Sequence, residues 1–399
     1  MRILLDARHR GTGSGAVSYI RNLVPGLLES GSHHEFVLLR SAGQPRTFQG
    51  LSHEVVVPDR SPGTQAIHDQ IALPRLLRRL GADAYHPLKY LGTMFPPCPQ
   101  VTTAHAITED YEGSFPMSAR EAIYWRAMGR RILRRSAAVI AVSDFIRRFL
   151  VERIGVPHER VTVVPNGVDP RFRRLEEGRA VGEPDGDPYL LTVGNIFPVK
   201  NFLVAVQVLA ALAPEFPRLR LRMAGGTGHA YFHEVMAAAD RAGITDRIDF
   251  LGYVETDRLV PLMNRATLLL MPSLTEGCPV TLLEAMACGT PVIASARGGI
   301  PEVGGEAVVL VDEPTDVASW VDATRRLLQD DSGRRRLTRA ALARSARYTW
   351  PATASRTLEI YDALERDGSL RATISAQPGS RPGRASRQRF RGSRPHGDD

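Results

Sequence analysis

Lysine is nearly missing from this chain: of 51 basic residues, Lys89 and Lys200 alone are lysines and the rest are arginines. GC-rich codon use produces such a skew, so a lysine that persists marks a position worth following. Cysteine is scarce too. Cys98, Cys278 and Cys288 make an odd set without paired spacing, which excludes a disulfide framework and a thiolate zinc site. No stretch of 18 apolar residues occurs, so no membrane-spanning helix is predicted. The opening MRILLDAR meets charged residues too soon for a secretory leader. Together these absences predict a cytoplasmic protein. Unbalanced charge is lacking as well, once the last segment is set aside. Residues 368–399 hold seven arginines and two aspartates, or +5 of the net +8, with few apolar groups; they read as a disordered basic tail.

What is present suits a large globular chain. The 399 residues, 43% apolar and 24% charged, are enough for two domains with a sizeable core. Short apolar runs alternate with helical periods: ILLDA (3–7), EFVLLR (35–40), HEVVVP (53–58), QVTTAH (100–105), AAVIAVS (137–143) and VTVVPNGVDP (161–170). Helices are predicted over about 16–28, 66–80 and 118–135, with Ser118 and Glu121 forming a capping box for the third. A second series begins at PYLLTVG and runs through LRLRMAGG (219–226), IDFLGYV (248–254), 267–271, PVIAS (291–295) and AVVLV (307–311). Between the series, residues 171–187 lose periodicity and gain charge, Gly and Pro, as a linker would. Alternation of strand and helix repeated twice predicts an α/β protein of two doubly wound, Rossmann-like domains facing across a cleft. The expected boundaries are 1–170, the linker 171–187, 188–348, a helix over 349–367, and the tail.

The most informative stretch is SLTEGCPVTLLEAMACGT (273–290). It reads as an acidic turn, then a helix with Pro279 at its first position, closed near Gly289 and stopped by Pro291. Glu276 lies in the turn and Glu284 inside the helix, with unpaired N–H groups between them that favour a phosphate. Lys200 and Asn201 are predicted to open a helix just after a strand ending at Gly194, where an ammonium neutralises a pyrophosphate. Gly11, Gly13 and Gly15 precede another helix start, again phosphate-binding architecture, though the spacing is not that of a dinucleotide fingerprint. His105 ends a strand of the first sheet.

The string E-G-x-P-x-x-x-x-E-A-M-A-x-G-x-P-V-I (276–293), with G-N-x-x-P-x-K-N (194–201), resembles the nucleotide-sugar site of the retaining glycosyltransferases of family 4, which have the GT-B fold. The resemblance extends to about residue 365. It implies that the last helix crosses back onto the first domain. It further implies Glu276, Lys200 and His105 as catalytic groups: Glu276 toward the sugar, Lys200 on the diphosphate, His105 hydrogen-bonded to the transferred sugar. Gly13, Gly15, Gly194, Asn195, Val254, Gly277, Cys278, Pro279, Val280 and Thr281 would line the donor, and Glu284 would accept from the ribose hydroxyls as a carboxylate. Where many members carry another cation near the lysine, this chain has Asn195 and Val199, so either Lys200 and the backbone amides carry more of the phosphate charge or Arg8 or Arg10 supplies it across the cleft. The aspartate that usually follows the histidine is replaced by Ala106. Neither a metal nor a cofactor is expected, because fixed dipoles and the ammonium take the leaving group's charge.

The reading implied is a hexosyltransferase moving mannose from GDP-mannose to a glycan, lipid-linked or small-molecule acceptor. Its rivals are a catalytically silent sugar-nucleotide binding or scaffold protein and a nucleotide-sugar epimerase of the same fold. No specific nucleic-acid partner is predicted. The Arg-rich helix 118–135 is a candidate for peripheral contact with the inner face of the membrane. Acceptor, linkage and oligomeric state have no readable motif.

Overall fold

Near-continuous apolar strands need cover on both faces, and parallel sheets flanked by helices supply it. That is the arrangement found in this computed structural model, which describes residues 1–9, 15–44, 48, 51, 53–60, 62–89, 92–106, 123, 125–176 and 187–367. In the first half the strands are β1 (Arg2–Asp6), β2 (Glu35–Ser41), β3 (His53–Val57), β4 (Ala84–Pro87), β5 (Val101–Ala104), β6 (Ala138–Ala141) and β7 (Val161–Val163). They pair in parallel in the orders β3-β2-β1-β4 and β5-β6-β7. A parallel bridge between Tyr85 and Gln100 joins the two groups. The second half holds β8 (Tyr189–Val193), β9 (Arg220–Ala224), β10 (Ile248–Gly252), β11 (Leu268–Met271), β12 (Val292–Ser295) and β13 (Val309–Val311), in the order β10-β9-β8-β11-β12-β13. Strand order therefore reverses beside β1 and beside β8, the points where such sheets open a ligand crevice.

The cores follow from the same runs. Ile3, Leu4, Leu5 and Leu38 are completely buried in the first sheet, and Leu190, Leu191, Leu269, Leu270 and Ile293 in the second. Helix Gly15–Glu29 presents Val17, Ile20, Leu23, Val24 and Leu27 to the first sheet at helical period. Helix Trp350–Asp367 returns to lie against it: Trp350, Ala354 and Tyr361 are buried in the first domain's cluster. A Cβ on Gly26 would sit 3.1 Å from that of Ala354, so the glycine lets the two helices approach. The Tyr361 hydroxyl meets His86 Nδ1 at 2.5 Å, and His86 Nε2 meets Thr103 Oγ1 at 2.8 Å. Burial drives the His86 imidazole down to about 3, so this link is neutral. Ion pairs His33–Glu365 (2.7 Å) and His34–Asp362 (3.0 Å) tie the far end of the helix to the start of β2.

Several expected boundaries shift. The β7 run is shorter than VTVVPNGVDP suggested, because Val164 to Gly167 leave the sheet to approach the second domain. Helix Phe202–Leu212 starts after Lys200 rather than at it. Residues Pro198–Lys200 form one 3-10 turn, and Asn201 follows in the left-handed region (φ 53°). Pro279 is the cap of helix Val280–Ala287 rather than its first residue. The capping box at 118–121, Arg10, Gly11, Gly13, most of the linker (177–186) and the tail from 368 lie outside the described residues. Of the Arg-rich segment, Trp125–Gly129 is a π-type turn leading into the helix Arg130–Arg135. Among the described residues no helix is long and apolar enough to cross a membrane.

Candidate active site

The second sheet delivers its loops to one edge. Strand β8 ends at Gly194, whose φ of +142° leaves room for the Lys200 stem; a Cβ there would be 3.5 Å from Lys200 Cε. A Cβ on Gly225, after β9, would collide with the Gly194 carbonyl, so the two loops pack backbone to backbone. Strand β11 leads into Ser273–Glu276. There the Glu276 carboxylate accepts from Lys200 Nζ at 2.5 Å and from Ser273 Oγ at 2.8 Å. Both members of the Lys200–Glu276 pair are only partly exposed.

Backbone contacts hold the Glu276 turn from both sides. The Gly299 N–H donates to the Glu276 carbonyl at 2.8 Å. Side chains on Gly298 or Gly299 would strike the main chain at Glu276 and Gly277. Across the domain boundary, a Cβ on Gly277 would strike the His105 carbonyl. Cys278 is buried, its carbonyl accepting from Asn166 Nδ2 at 3.4 Å, and burial pushes its thiol up to about 12. An unreactive thiol fits a position that matters through its main chain. Pro279 then caps the helix that carries Val280, Thr281 and Glu284.

Between the halves lies a cleft with roughly 950 Å³ of open space, solvent-facing part included. Gly15, Gly194, Asn195, Val254, Val280, Thr281 and Glu284 line it, whereas Lys200, Glu276 and the turn Gly277–Pro279, expected at the same site, are not among its lining residues. The start of helix Gly15–Glu29 faces that of Val280–Ala287, and a Cβ on Gly15 would be 4.0 Å from Val280 Cγ2. Two helix N-termini thus converge on one volume. Glu284 forms part of its wall, where burial and then Asp169 push its carboxyl up to about 8 against the pull of Arg171. An empty site at neutral pH therefore holds Glu284 mostly protonated, unlike the ionised group expected.

His105 sits apart from this wall. Its Nε2–H donates to the Leu88 carbonyl at 2.7 Å, and its ring meets Tyr19 edge-on at 4.7 Å. Burial lowers it to about 4. It is a neutral imidazole whose remaining nitrogen, Nδ1, can only accept.

Arg8 does not reach the cleft, contrary to expectation. Its guanidinium is buried against Asp6 (Nε–Oδ1 2.7 Å) and Asp69 (Nη1–Oδ1 2.8 Å), with Tyr85 donating to Asp6 at 2.7 Å. The cations that do line it are Arg21, one turn and a half into the first helix, and Arg171, paired to Asp169 at 2.7 Å. Sequence reasoning passed over both. Arg21 lies in the expected helix 16–28 with no motif to mark it, and Arg171 is the first residue of the expected linker 171–187. Among the described residues one group of side chains could hold a metal ion, His33, His34, Asp362 and Glu365, and none of the four lines the cleft.

Two family profiles match the chain, one over each half: "Glycosyltransferase Family 4" over residues 13–172 and "Glycosyl transferases group 1" over 174–344. A D-inositol 3-phosphate glycosyltransferase of Frankia alni is 31% identical over 66% of this chain and 68% of its own length. The chain belongs to glycosyltransferase family 4. A second such relative, from Stackebrandtia nassauensis, is 32% identical over 67% of this chain and 64% of its own. The chain thus spans just under two thirds of this second relative's length and just over two thirds of the first's. Among solved structures, sucrose-phosphate synthase of Thermosynechococcus elongatus covers 92% of this chain and is covered completely, with TM-score 0.77 at 20% identity. HepE of Anabaena, solved with UDP-glucose, covers 91%, again completely, with TM-score 0.73 at 17% identity. These likenesses establish the fold, the GT-B arrangement of family 4 with its returning C-terminal helix.

Proposed function

We propose that this protein is a metal-independent retaining glycosyltransferase that moves a hexose from a nucleotide sugar to a small or lipid-borne acceptor. The observation that carries this reading is the convergence of the Gly15 and Val280 helix starts and Glu284 on one interdomain volume, with the Lys200–Glu276 pair packed behind Gly194 of its wall. Leaving-group departure adds negative charge to the diphosphate and positive charge to the sugar ring. Helix N-termini and the Lys200 ammonium, already in place, stabilise the first without reorganisation. Glu276, released from Lys200 as the phosphates arrive, is left to hold the sugar hydroxyls. Glu284 binds the ribose, and the backbone from Gly277 to Val280, with Thr281, Gly194, Asn195 and Val254, lines the donor. The acceptor approaches from the first domain, near His105. Residues 1–170 are the acceptor side and 188–348 the donor side. On this reading the departing phosphate oxygen takes the acceptor's proton, since the neutral His105 is a weak base and, among the described residues, the cleft carboxyls are otherwise engaged, Asp169 with Arg171 and Glu284 with the ribose.

For the donor, GDP-mannose is suggested by the G-N-x-x-P-x-K-N string. The relative solved with UDP-glucose and the curated inositol-phosphate enzymes favour a uridine donor and a phosphorylated polyol acceptor instead. Screening UDP-glucose, UDP-N-acetylglucosamine and GDP-mannose by hydrolysis and thermal shift separates them. A protein that binds nucleotide but turns over none of them would be the silent scaffold. Glu276→Gln should abolish transfer while nucleoside diphosphate binding persists; transfer at the normal rate would remove Glu276 from the site. Exposed Phe95 under Arg135 (4.9 Å), with Arg126 and Arg131, forms the surface for peripheral contact with anionic lipid.

A further inference from the structure

Glu302 belongs to helix Ile300–Gly304 of the second domain, yet its carboxylate binds the first. Its two oxygens accept from the Asp144 N–H at 2.9 and 2.8 Å, and one also accepts from the Phe145 N–H at 3.3 Å. Those N–H groups open helix Asp144–Phe149, whose own cap, Ser143, is occupied with the Ile146 N–H at 3.2 Å. The helix start is therefore satisfied from both domains at once.

Each end of this contact leads to a group of the transfer site. On the second domain, Glu302 follows Gly298 and Gly299, which clamp the main chain of Glu276 and Gly277. Its own backbone is anchored by Arg344, which donates to the Glu302 carbonyl at 2.6 Å and to the Val303 carbonyl at 2.5 Å. On the first domain, Ser143 and Asp144 follow β6. Strand β6 pairs Ala141 with Ala104 of β5, so the next residue on that strand is His105. Between the two ends, Gly277 rests on the His105 carbonyl and Gly299 comes within reach of Ser143 Oγ.

We infer that Glu302 is a positioning residue for sugar transfer: a carboxylate strut from the donor half that caps a helix of the acceptor half and fixes the spacing of Glu276 from His105. This rests on the reading of the site given above. A carboxylate shared by two main-chain donors is among the stronger polar contacts available. Losing it frees the acceptor half to drift, and a drift near 1 Å is enough to cost about a hundredfold in rate. Glu284, Val254, Thr281 and Gly194, by contrast, all belong to the second domain and keep their places relative to one another.

The test pairs a contact readout with a kinetic one. In full-length Glu302→Ala, amide exchange at Asp144 and Phe145 should quicken at least about tenfold as those N–H groups lose their acceptor. With whichever of UDP-glucose and GDP-mannose the unaltered protein turns over, kcat should fall about tenfold to a hundredfold. Binding of the matching nucleoside diphosphate should stay within about threefold of the unaltered protein, and the melting temperature within about 4 °C. Glu302→Gln, which keeps one acceptor oxygen, should recover part of kcat. Unchanged exchange at those amides, or kcat within twofold despite faster exchange, overturns the inference. So does a parallel loss of kcat, nucleotide affinity and melting temperature, which would mean a merely structural role. If the unaltered protein turns over no donor, the reading of the site falls, and the exchange readout still decides whether the strut exists.

Discussion

Lys200 and Glu276 pair with one another in the empty site, and on the proposed function a nucleotide sugar would part them. Because the ammonium then faces the diphosphate, Lys200→Ala should lower kcat/KM by about 10²–10³, as for loss of one preorganised stabilising group. A rate unchanged in steady-state assays would remove Lys200 from the phosphate site. Glu284 adds a pH dependence whose sign follows from its burial. Its carboxyl is pushed up to about 8, so the folded protein holds an extra proton between the ordinary glutamate range and that value. The charged form is the one disfavoured, and folding stability from this group declines as pH rises through that window. Ribose hydroxyls donating to a carboxylate need it ionised, so nucleoside diphosphate affinity should climb by up to about tenfold per pH unit below 8. Titration calorimetry from pH 6 to 8.5 measures this, and Glu284→Gln should flatten the slope. Lys200, Glu276 and Glu284 were legible because each stands in a short string with fixed spacing. Arg21 and Arg171 were not. They meet in the cleft from places 150 residues apart, and nothing local distinguishes them from other surface arginines.

Close approach of main chain to main chain governs the loops that carry those side chains. Gly277→Ala should cost more than a typical surface substitution, since its methyl would enter the His105 carbonyl and neither backbone has free space. Activity should drop at least about tenfold, by the same misplacement argument as for the strut. Retention of full turnover in a purified, normally melting variant would contradict that packing. Periodicity located most strands and several helices but missed Tyr231–Arg241, Val317–Gln329 and Asp331–Ser345, and some of its misplacements have local causes. The left-handed Asn201, held by a hydrogen bond from its side chain to the Pro314 carbonyl at 2.9 Å, delays a helix that composition alone would start at Lys200. Strand β4 (AYHP) is four residues long and contains histidine and proline, so no alternation could announce it. His86 within it is nonetheless what the returning helix grips.

The two-domain plan was readable because each half repeats the same alternation of strand and helix; the return of the last helix was implied only by the resemblance to family 4. The strand order, the reversal points and the cleft itself depend on pairings that no local pattern encodes. Deleting residues 368–399, an arginine-rich segment set apart by composition from the two domains, should leave donor turnover within about twofold, the scale of ordinary surface changes. A large loss in the truncated enzyme would give the tail a part in catalysis. The chain passes between domains twice, once after Val168 and again before Trp350, and the passages are not independent. The Val168 N–H donates to the Tyr348 carbonyl at 3.0 Å, and a parallel bridge joins Val168 to Thr349. A side chain on Gly167 would strike the backbone at Trp350. Such a seam joins the two passages like two leaves riveted along one line. A protease nick between residues 177 and 186 should therefore yield two fragments that co-elute under native conditions, held by the second leaf after the first is cut.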